Sequence, residues 1–209
     1  IDTTTSSQYA SALLMASVMN GMNVELTGSR VDGAYIKITT NMLKQFDIDF
    51  DREGNTYIIK KQSYICNVYN VEPDMSAACY FYAMAALLGI SITVSGVHEE
   101  SLQGDVEFVH ILEKMGCICE DTPEGICVSK PVNGILKGVD VNMHSCSDQA
   151  ITLAAIAPFA DTPTTIRGIA HIRLQESNRI AAICTELTRM GIRCEEGEDS
   201  ITIWPGTPK

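Results

Sequence analysis

The sequence predicts an α/β fold built by repetition: about three copies of a β-α-β-α-β-β unit, with buried parallel helices surrounded by sheets. Three observations predict it. Residues 24–28, 92–96 and 164–168 are short β-rich runs that each close on glycine, at Gly28, Gly96 and Gly168, 68 and 72 residues apart. Each run follows a long apolar stretch, at 10–19, 77–88 and 150–160. Each is followed by a more polar helical pattern, ending near Phe46, Met115-Gly116 and Met190-Gly191, then a charged turn and a second β-like run at 56–59, 125–128 and 200–204. Self-similarity at so long a period marks a supersecondary unit used more than once.

The first helix of each unit is apolar on nearly every side, which predicts burial all round. The second helices, such as 109–115 (Val-His-Ile-Leu-Glu-Lys-Met), are amphipathic and predict one face laid on a sheet. The apolar helices open with Ser6-Ser7-Gln8, Asp74-Met75-Ser76 and Ser147-Asp148-Gln149. One reading is N-capping, in which Ser and Asp side chains satisfy free backbone N–H groups. The other adds a ligand, because a helix N-terminus with Ser hydroxyls and free amides attracts an anion. The residues leave both open. Paired serines suit a phosphate, whereas Asp148 would repel one and suits a hydroxyl or a proton. The run 171–179 (His-Ile-Arg-Leu-Gln-Glu-Ser-Asn-Arg) puts many polar groups between a strand and a helix. It reads either as a solvated helix start with Glu176 and Arg179 paired at i, i+3, or as a loop carrying chemistry.

Composition bounds the function. A chain of 209 residues with 45% hydrophobic residues can bury one or two cores. Charged residues are 20%, below the roughly 25% usual for globular domains. The net charge of −11, with no basic run, argues against a nucleic-acid partner. The longest apolar stretch, 76–89, is shorter than the ~20 residues that span a membrane, and no signal peptide is visible. The eight cysteines, Cys66, Cys79, Cys117, Cys119, Cys127, Cys146, Cys184 and Cys194, form no CxxC pair. They read as reduced packing residues of a cytoplasmic protein. The near-clusters Cys117-Ile118-Cys119 and His144-Ser145-Cys146 are more tightly spaced than zinc ligand pairs, and no metal is expected. Ile1 in place of an initiator Met suggests a fragment.

The helix starts and the polar run together resemble one family. Residues 6–16 resemble the Ser-Ser-Gln helix start of the EPSP synthases (3-phosphoshikimate 1-carboxyvinyltransferases). Residues 71–81 are similar to that family's Val-Glu-Gly-Asp-x-Ser-Ser-Ala-x-Tyr-Phe segment. Gln103-Gly104-Asp105, 112–116, Asp148-Gln149-Ala150 and 173–179 match further motifs in the same order, so the resemblance covers essentially the whole chain. It implies the enolpyruvyl transferase fold of two lobes, each with three such units. It also implies that this chain is a middle and later part of a protein about twice as long. Residues 1–70 would be the last unit of the shikimate-phosphate-binding lobe, and 71–209 two units of the second lobe. The family's N-terminal Lys-Ser segment, its phosphoenolpyruvate loop and its C-terminal cations have no match here. The resemblance therefore implies that the missing segments of the parent chain complete the cleft, and that the fragment alone is inactive.

The implied reaction transfers the enolpyruvyl group of phosphoenolpyruvate to the 5-hydroxyl of shikimate-3-phosphate, releasing phosphate, with no cofactor. By resemblance, Ser6 and Ser7 bind the shikimate phosphate, Gln8 touches both substrates and Tyr35 lines the shikimate side. Asp148 accepts the hydroxyl proton, Glu176 protonates the methylene carbon, and Arg179 clamps phosphoenolpyruvate with a guanidinium fork. Four positions depart from the family pattern. Gln175 stands for its usual lysine, Asn178 for an aspartate, His171 for an asparagine that contacts the shikimate phosphate, and Asp32 falls near a phosphate-site serine. Two rival readings are the sister transferase acting on UDP-N-acetylglucosamine and a non-catalytic repeat module. The Ser-Ser-Gln start and the 173–179 run favour the shikimate enzyme.

Overall fold

The first apolar stretch forms helix α1 (Gln8–Asn20) in a computed structural model of the chain, which describes residues 1–4, 6–65 and 68–209. Strand β1 (Met22–Glu25), helix α2 (Ala34–Gln45) and the hairpin β2 (Phe50–Glu53)–β3 (Thr56–Ile59) follow. The sheet order is β1-β3-β2, antiparallel throughout, with Tyr57 opposite both Val24 and Arg52. Alternation in β3 turns Tyr57 and Ile59 inward, where they join Leu14, Val18, Leu26, Ile36, Leu43 and Ile48 in one core. This set belongs to a compact unit spanning Ile1–Val71.

The second unit, Glu72–Lys209, contains the same pattern twice. Helix α3 (Met75–Leu88), β4 (Ser91–Thr93), α4 (Glu107–Lys114), β5 (Ile118–Thr122) and β6 (Gly125–Ser129) make a sheet of order β4-β6-β5. Strand β7 (Asp140–Asn142), α5 (Ala150–Ile156), β8 (Thr164–Arg167), α6 (Arg179–Arg189), β9 (Cys194–Glu196) and β10 (Ser200–Ile203) make a sheet of order β7-β8-β10-β9. One core, with Tyr82, Phe108, Leu112, Met143 and Ile203 among its members, serves both repeats. The amphipathic helices bury the expected stripes, Phe108, Ile111 and Leu112 on α4 and Ile180, Ile183 and Leu187 on α6.

The repeat therefore recurs three times with one strand order, but its leading strand does not. Only β7 is a full strand, parallel to β8. In the first repeat it shrinks to a single parallel bridge between Asp2 and Thr27, and residues 68–74 before α3 form no strand. The three closing glycines share a physical reason. Gly28, Gly96 and Gly168 have φ of 89°, 72° and 75°, a region that costs L side chains energy. A Cβ at Gly28 would run into Asp2 and Thr4, and one at Gly168 into Asn142, so the strand turns tightly beside the segment that precedes each apolar helix.

Burial all round does not hold for any of the three apolar helices: even the third stretch exposes Ile151 and Phe159. Helix α1 buries Ala10, Leu14 and Val18 but exposes Tyr9, Met15 and Met19. Helix α3 buries seven residues but exposes Tyr80, Phe81, Met84 and Leu88. Each packs against its own sheet, and α3 also against α5. The third stretch breaks after Ile156 into a 3₁₀ turn containing Pro158. The seven described cysteines are free thiols, while Cys66 lies outside the described residues. No helix of the described residues is long and apolar enough to cross a membrane.

Candidate functional site

In the first unit the polar start of α1 lies beside the start of α2. The Ser11 hydroxyl, one turn beyond Ser7, donates to the Tyr35 carbonyl at 3.4 Å. The Thr39 hydroxyl donates to that same carbonyl at 2.7 Å. Capping is made by Ser6, whose Oγ accepts from the Gln8 amide at 3.2 Å. Ser7, at the cap position itself, is buried and makes no side-chain cap bond. The Gln8 and Tyr35 side chains are exposed. Asp32 is not an isolated charge: the Arg52 guanidinium donates to its Oδ1 at 2.7 Å.

In the second unit the Ser147-Asp148-Gln149 triplet forms a 3₁₀ turn ahead of α5 and makes no side-chain cap bond, contrary to the capping expectation. Its three side chains reach three other elements instead. The Ser147 hydroxyl lies 2.8 Å from His171 Nε2, and the His171 ring meets His144 edge to face at 5.3 Å. Arg179 Nη1 donates to Asp148 Oδ1 at 2.8 Å, and Nη2 donates to Glu176 Oε2 at 2.7 Å. One guanidinium thus bridges two carboxylates. Glu176 is the exposed member, with its side chain 80% accessible against 22% for Arg179. Its own backbone amide and the Arg179 guanidinium hold the Glu176 carboxyl below its ordinary value. The α6 start is capped by Asn178, which accepts from the Ala181 amide at 3.1 Å.

Gln149 Nε2 donates to Asp105 Oδ2 at 2.9 Å, and the Ser76 hydroxyl donates to the same oxygen. Asp105 is 8% exposed, so burial raises its carboxyl above the ordinary value, with the Ser76 and Gln149 bonds opposing that rise. This carboxylate ties together the starts of α3 and α5 and the 3₁₀ turn Gly104–Val106 before α4. Asp74 caps α3 as expected, accepting from the Ser76 and Ala77 amides. Arg173 is committed to structure, donating to Glu196 and to the Gly197 and Glu198 carbonyls at 2.5, 2.5 and 3.0 Å.

The family model for EPSP synthase (3-phosphoshikimate 1-carboxyvinyltransferase) matches residues 1–209. The chain belongs to this family. A 3-phosphoshikimate 1-carboxyvinyltransferase 2 of Halalkalibacterium halodurans is 41% identical over 98% of the chain, which covers 46% of that relative. The chloroplastic enzyme of Brassica napus is 40% identical over 96% of the chain and 41% of its own length. The chain thus spans about half the length of the curated relatives it matches. Among solved structures, an EPSP synthase from Acinetobacter baumannii superposes with a TM-score of 0.75 at 26% identity, over 98% of this chain and 48% of that one. The enolpyruvyl transferase NikO of Streptomyces tendae shares the fold at 19% identity with a TM-score of 0.67. The architecture is accordingly the α/β enolpyruvyl transferase fold.

Within the second unit of this EPSP synthase relative, the family-matched Asp148, Glu176 and Arg179 form one cluster, and His171 joins the same turn through Ser147. Within the first unit, Ser6, Ser7, Gln8 and Tyr35 lie at neighbouring helix starts. Gln175 has a buried Oε1 with no hydrogen-bond partner. The sequence pointed to no role for Asp105, and for Ser147 only to a helix start, not to its contact with His171. The Gln103-Gly104-Asp105 match was the available signal for Asp105; for Ser147 it was adjacency to Asp148.

Proposed function

We propose that the whole protein transfers the enolpyruvyl group of phosphoenolpyruvate to the 5-hydroxyl of shikimate-3-phosphate, releasing inorganic phosphate, in the shikimate pathway of chorismate and aromatic amino-acid biosynthesis. The observation that carries this reading is the family match over residues 1–209. Residues 1–70 serve as the last repeat of the shikimate-phosphate-binding lobe and 71–209 as two repeats of the second lobe.

In this reading Ser6 and Ser7 hold the 3-phosphate at the α1 start, where free amides favour an anion. Gln8 and Tyr35 contact the substrates from the first unit, and His171 contacts them from the second. Asp148 orients the 5-hydroxyl and accepts its proton, while Glu176 delivers a proton to the methylene carbon. Arg179 holds an anionic group of phosphoenolpyruvate, with Gln175 alongside as a neutral hydrogen-bonding group. The bridged guanidinium supports a particular order of events. An arriving phosphate or carboxylate competes with Glu176, the more exposed partner, for Arg179. Losing that partner moves the Glu176 carboxyl upward toward its ordinary value, the direction that proton donation requires.

The test is a full-length preparation supplied with phosphoenolpyruvate and shikimate-3-phosphate. Phosphate and the enolpyruvyl ether should appear in equal amounts, and UDP-N-acetylglucosamine should not replace the acceptor. Phosphate release with the UDP-sugar alone, or with neither acceptor, would remove the reading.

A further inference from the structure

Cys184 on α6 and Cys194 at the start of β9 bring their Sγ atoms to 3.1 Å. Among the described residues they are the one pair of cysteine sulfurs within hydrogen-bonding reach of each other, and both are free thiols. A disulfide bond is about 2.05 Å long, so closure needs an approach on the order of 1 Å. Regular structure holds both positions. Cys184 follows the buried Ile183 on a helix also anchored by Ile180 and Leu187. Cys194 pairs with Ile203 in the β9–β10 ladder. The connection between them is pinned by the Ile192 amide donating to the Leu187 carbonyl at 2.9 Å. Both cysteines are half-buried, so a small reagent reaches them without unfolding.

We infer that Cys184 and Cys194 form a reversible redox pair, a modification site for low-molecular-weight disulfides of the glutathione class. The exchange balances in two steps. One cysteine thiolate attacks the small disulfide, forming a mixed disulfide and releasing one small thiol. The second cysteine gives up its proton and attacks the mixed sulfur, closing Cys184–Cys194 and releasing the second small thiol. The protein pair loses two electrons and two protons, and the small disulfide gains them. The closed bridge staples α6 to β9, the edge strand of its sheet, beneath the helix whose first residue, Arg179, holds Asp148 and Glu176. Burial raises the Cys194 thiol above its ordinary range, so exchange through it quickens as pH rises.

The chain is incubated natively with oxidised glutathione, quenched with a maleimide and digested with trypsin without reduction. Trypsin cuts after Arg189 and Arg193, so the bridge would join peptide 180–189 to peptide 194–209. The expected result is that joined species as the dominant cross-link, lost on adding dithiothreitol. The same incubation in concentrated urea should scatter cross-links over other cysteines. In Cys184→Ser the joined species should vanish while Cys194 accumulates a glutathione adduct. Native chain with both cysteines alkylated, with each carrying separate glutathione, with cross-links to other cysteines dominating, or with the same preference in urea would overturn the inference. The wild-type peptide map decides the matter even if Cys184→Ser fails to fold.

Discussion

Arg179 Nη1 stands 2.8 Å from Asp148 Oδ1, an ion pair between residues 31 apart in the chain. It links the start of α6 to the turn before α5, while the other guanidinium nitrogen keeps Glu176 within 2.7 Å. Removing the guanidinium should therefore change Glu176. In Arg179→Ala its carboxyl should titrate higher than in the wild type, though not fully at the ordinary value, because its own backbone amide, the largest single cause of the depression, remains. The sign of the stability effect follows: a depressed carboxyl stabilises above its unfolded pKa and loses that contribution as pH falls through the folded one. Carbon-detected NMR titration of the Glu side chains checks the shift. An unchanged Glu176 would show the pair to be absent in solution.

Asp148 and Glu176 should part company on substitution in the full-length protein. Glu176→Gln should leave shikimate-3-phosphate binding nearly intact and cut turnover by roughly 10²–10⁴-fold, the range for losing a general acid–base. Asp148→Ala should weaken that binding as well as slow turnover, because it removes a ligand and frees Arg179. Calorimetric binding with single-turnover rates separates the two. Near-normal turnover in Glu176→Gln would leave the Glu176–Arg179 contact as a helix-start ion pair only.

Asp105 should make the second unit less stable as pH rises. Its folded carboxyl titrates above the ordinary Asp value of 3.8, so the folded state binds more protons than the unfolded state just above that pH. Stability is then full below 3.8 and declines as pH climbs toward the raised value. Asp105→Asn should flatten that decline. Asp105→Ala should instead cost about 1–3 kcal/mol for the buried Gln149 amide left unpaired, and less for the half-buried Ser76 hydroxyl. The only tryptophan, Trp204, lies in this unit under the Arg193 guanidinium, so denaturant unfolding followed by fluorescence reports on it.

Two glycines in the first unit should respond unequally to alanine. Gly54 has φ 58° with nothing within 4 Å of an added Cβ, so Gly54→Ala should cost the left-handed backbone penalty alone, about 1–2 kcal/mol. Gly28 has φ 89° and an added Cβ would lie 2.9 Å from the Thr4 amide nitrogen, so Gly28→Ala should cost more and loosen the Asp2–Thr27 bridge. Amide exchange over residues 1–65, read by mass spectrometry, orders the two variants. Equal protection in both would refute the close approach.

Much of the fold was legible because its determinants are local. The three Gly-closed runs, the amphipathic stripes of α4 and α6 and the Asp74 cap each depend on residues a few positions apart, where sequence spacing and spatial spacing coincide. The Glu176–Arg179 contact is of the same kind, since i, i+3 neighbours meet on one turn. The Cys184–Cys194 contact has no comparable signal, because nothing in the pattern says which face of α6 meets which face of β9.

By itself the sequence determined the repeat, the class of most elements and the glycine that closes each β-run, set by turn sterics and the period of apolar residues. Tertiary structure alone decided which partners Ser147, Asp148 and Gln149 find, across separations of 24, 31 and 44 residues. It also decided which side of α1 and of α3 packs on its own sheet. The reason is the same in both cases. Hydrophobicity and charge specify what a side chain can bury or pair with, but the neighbour itself is supplied by packing of distant elements, a property of the folded chain and not of any window along it.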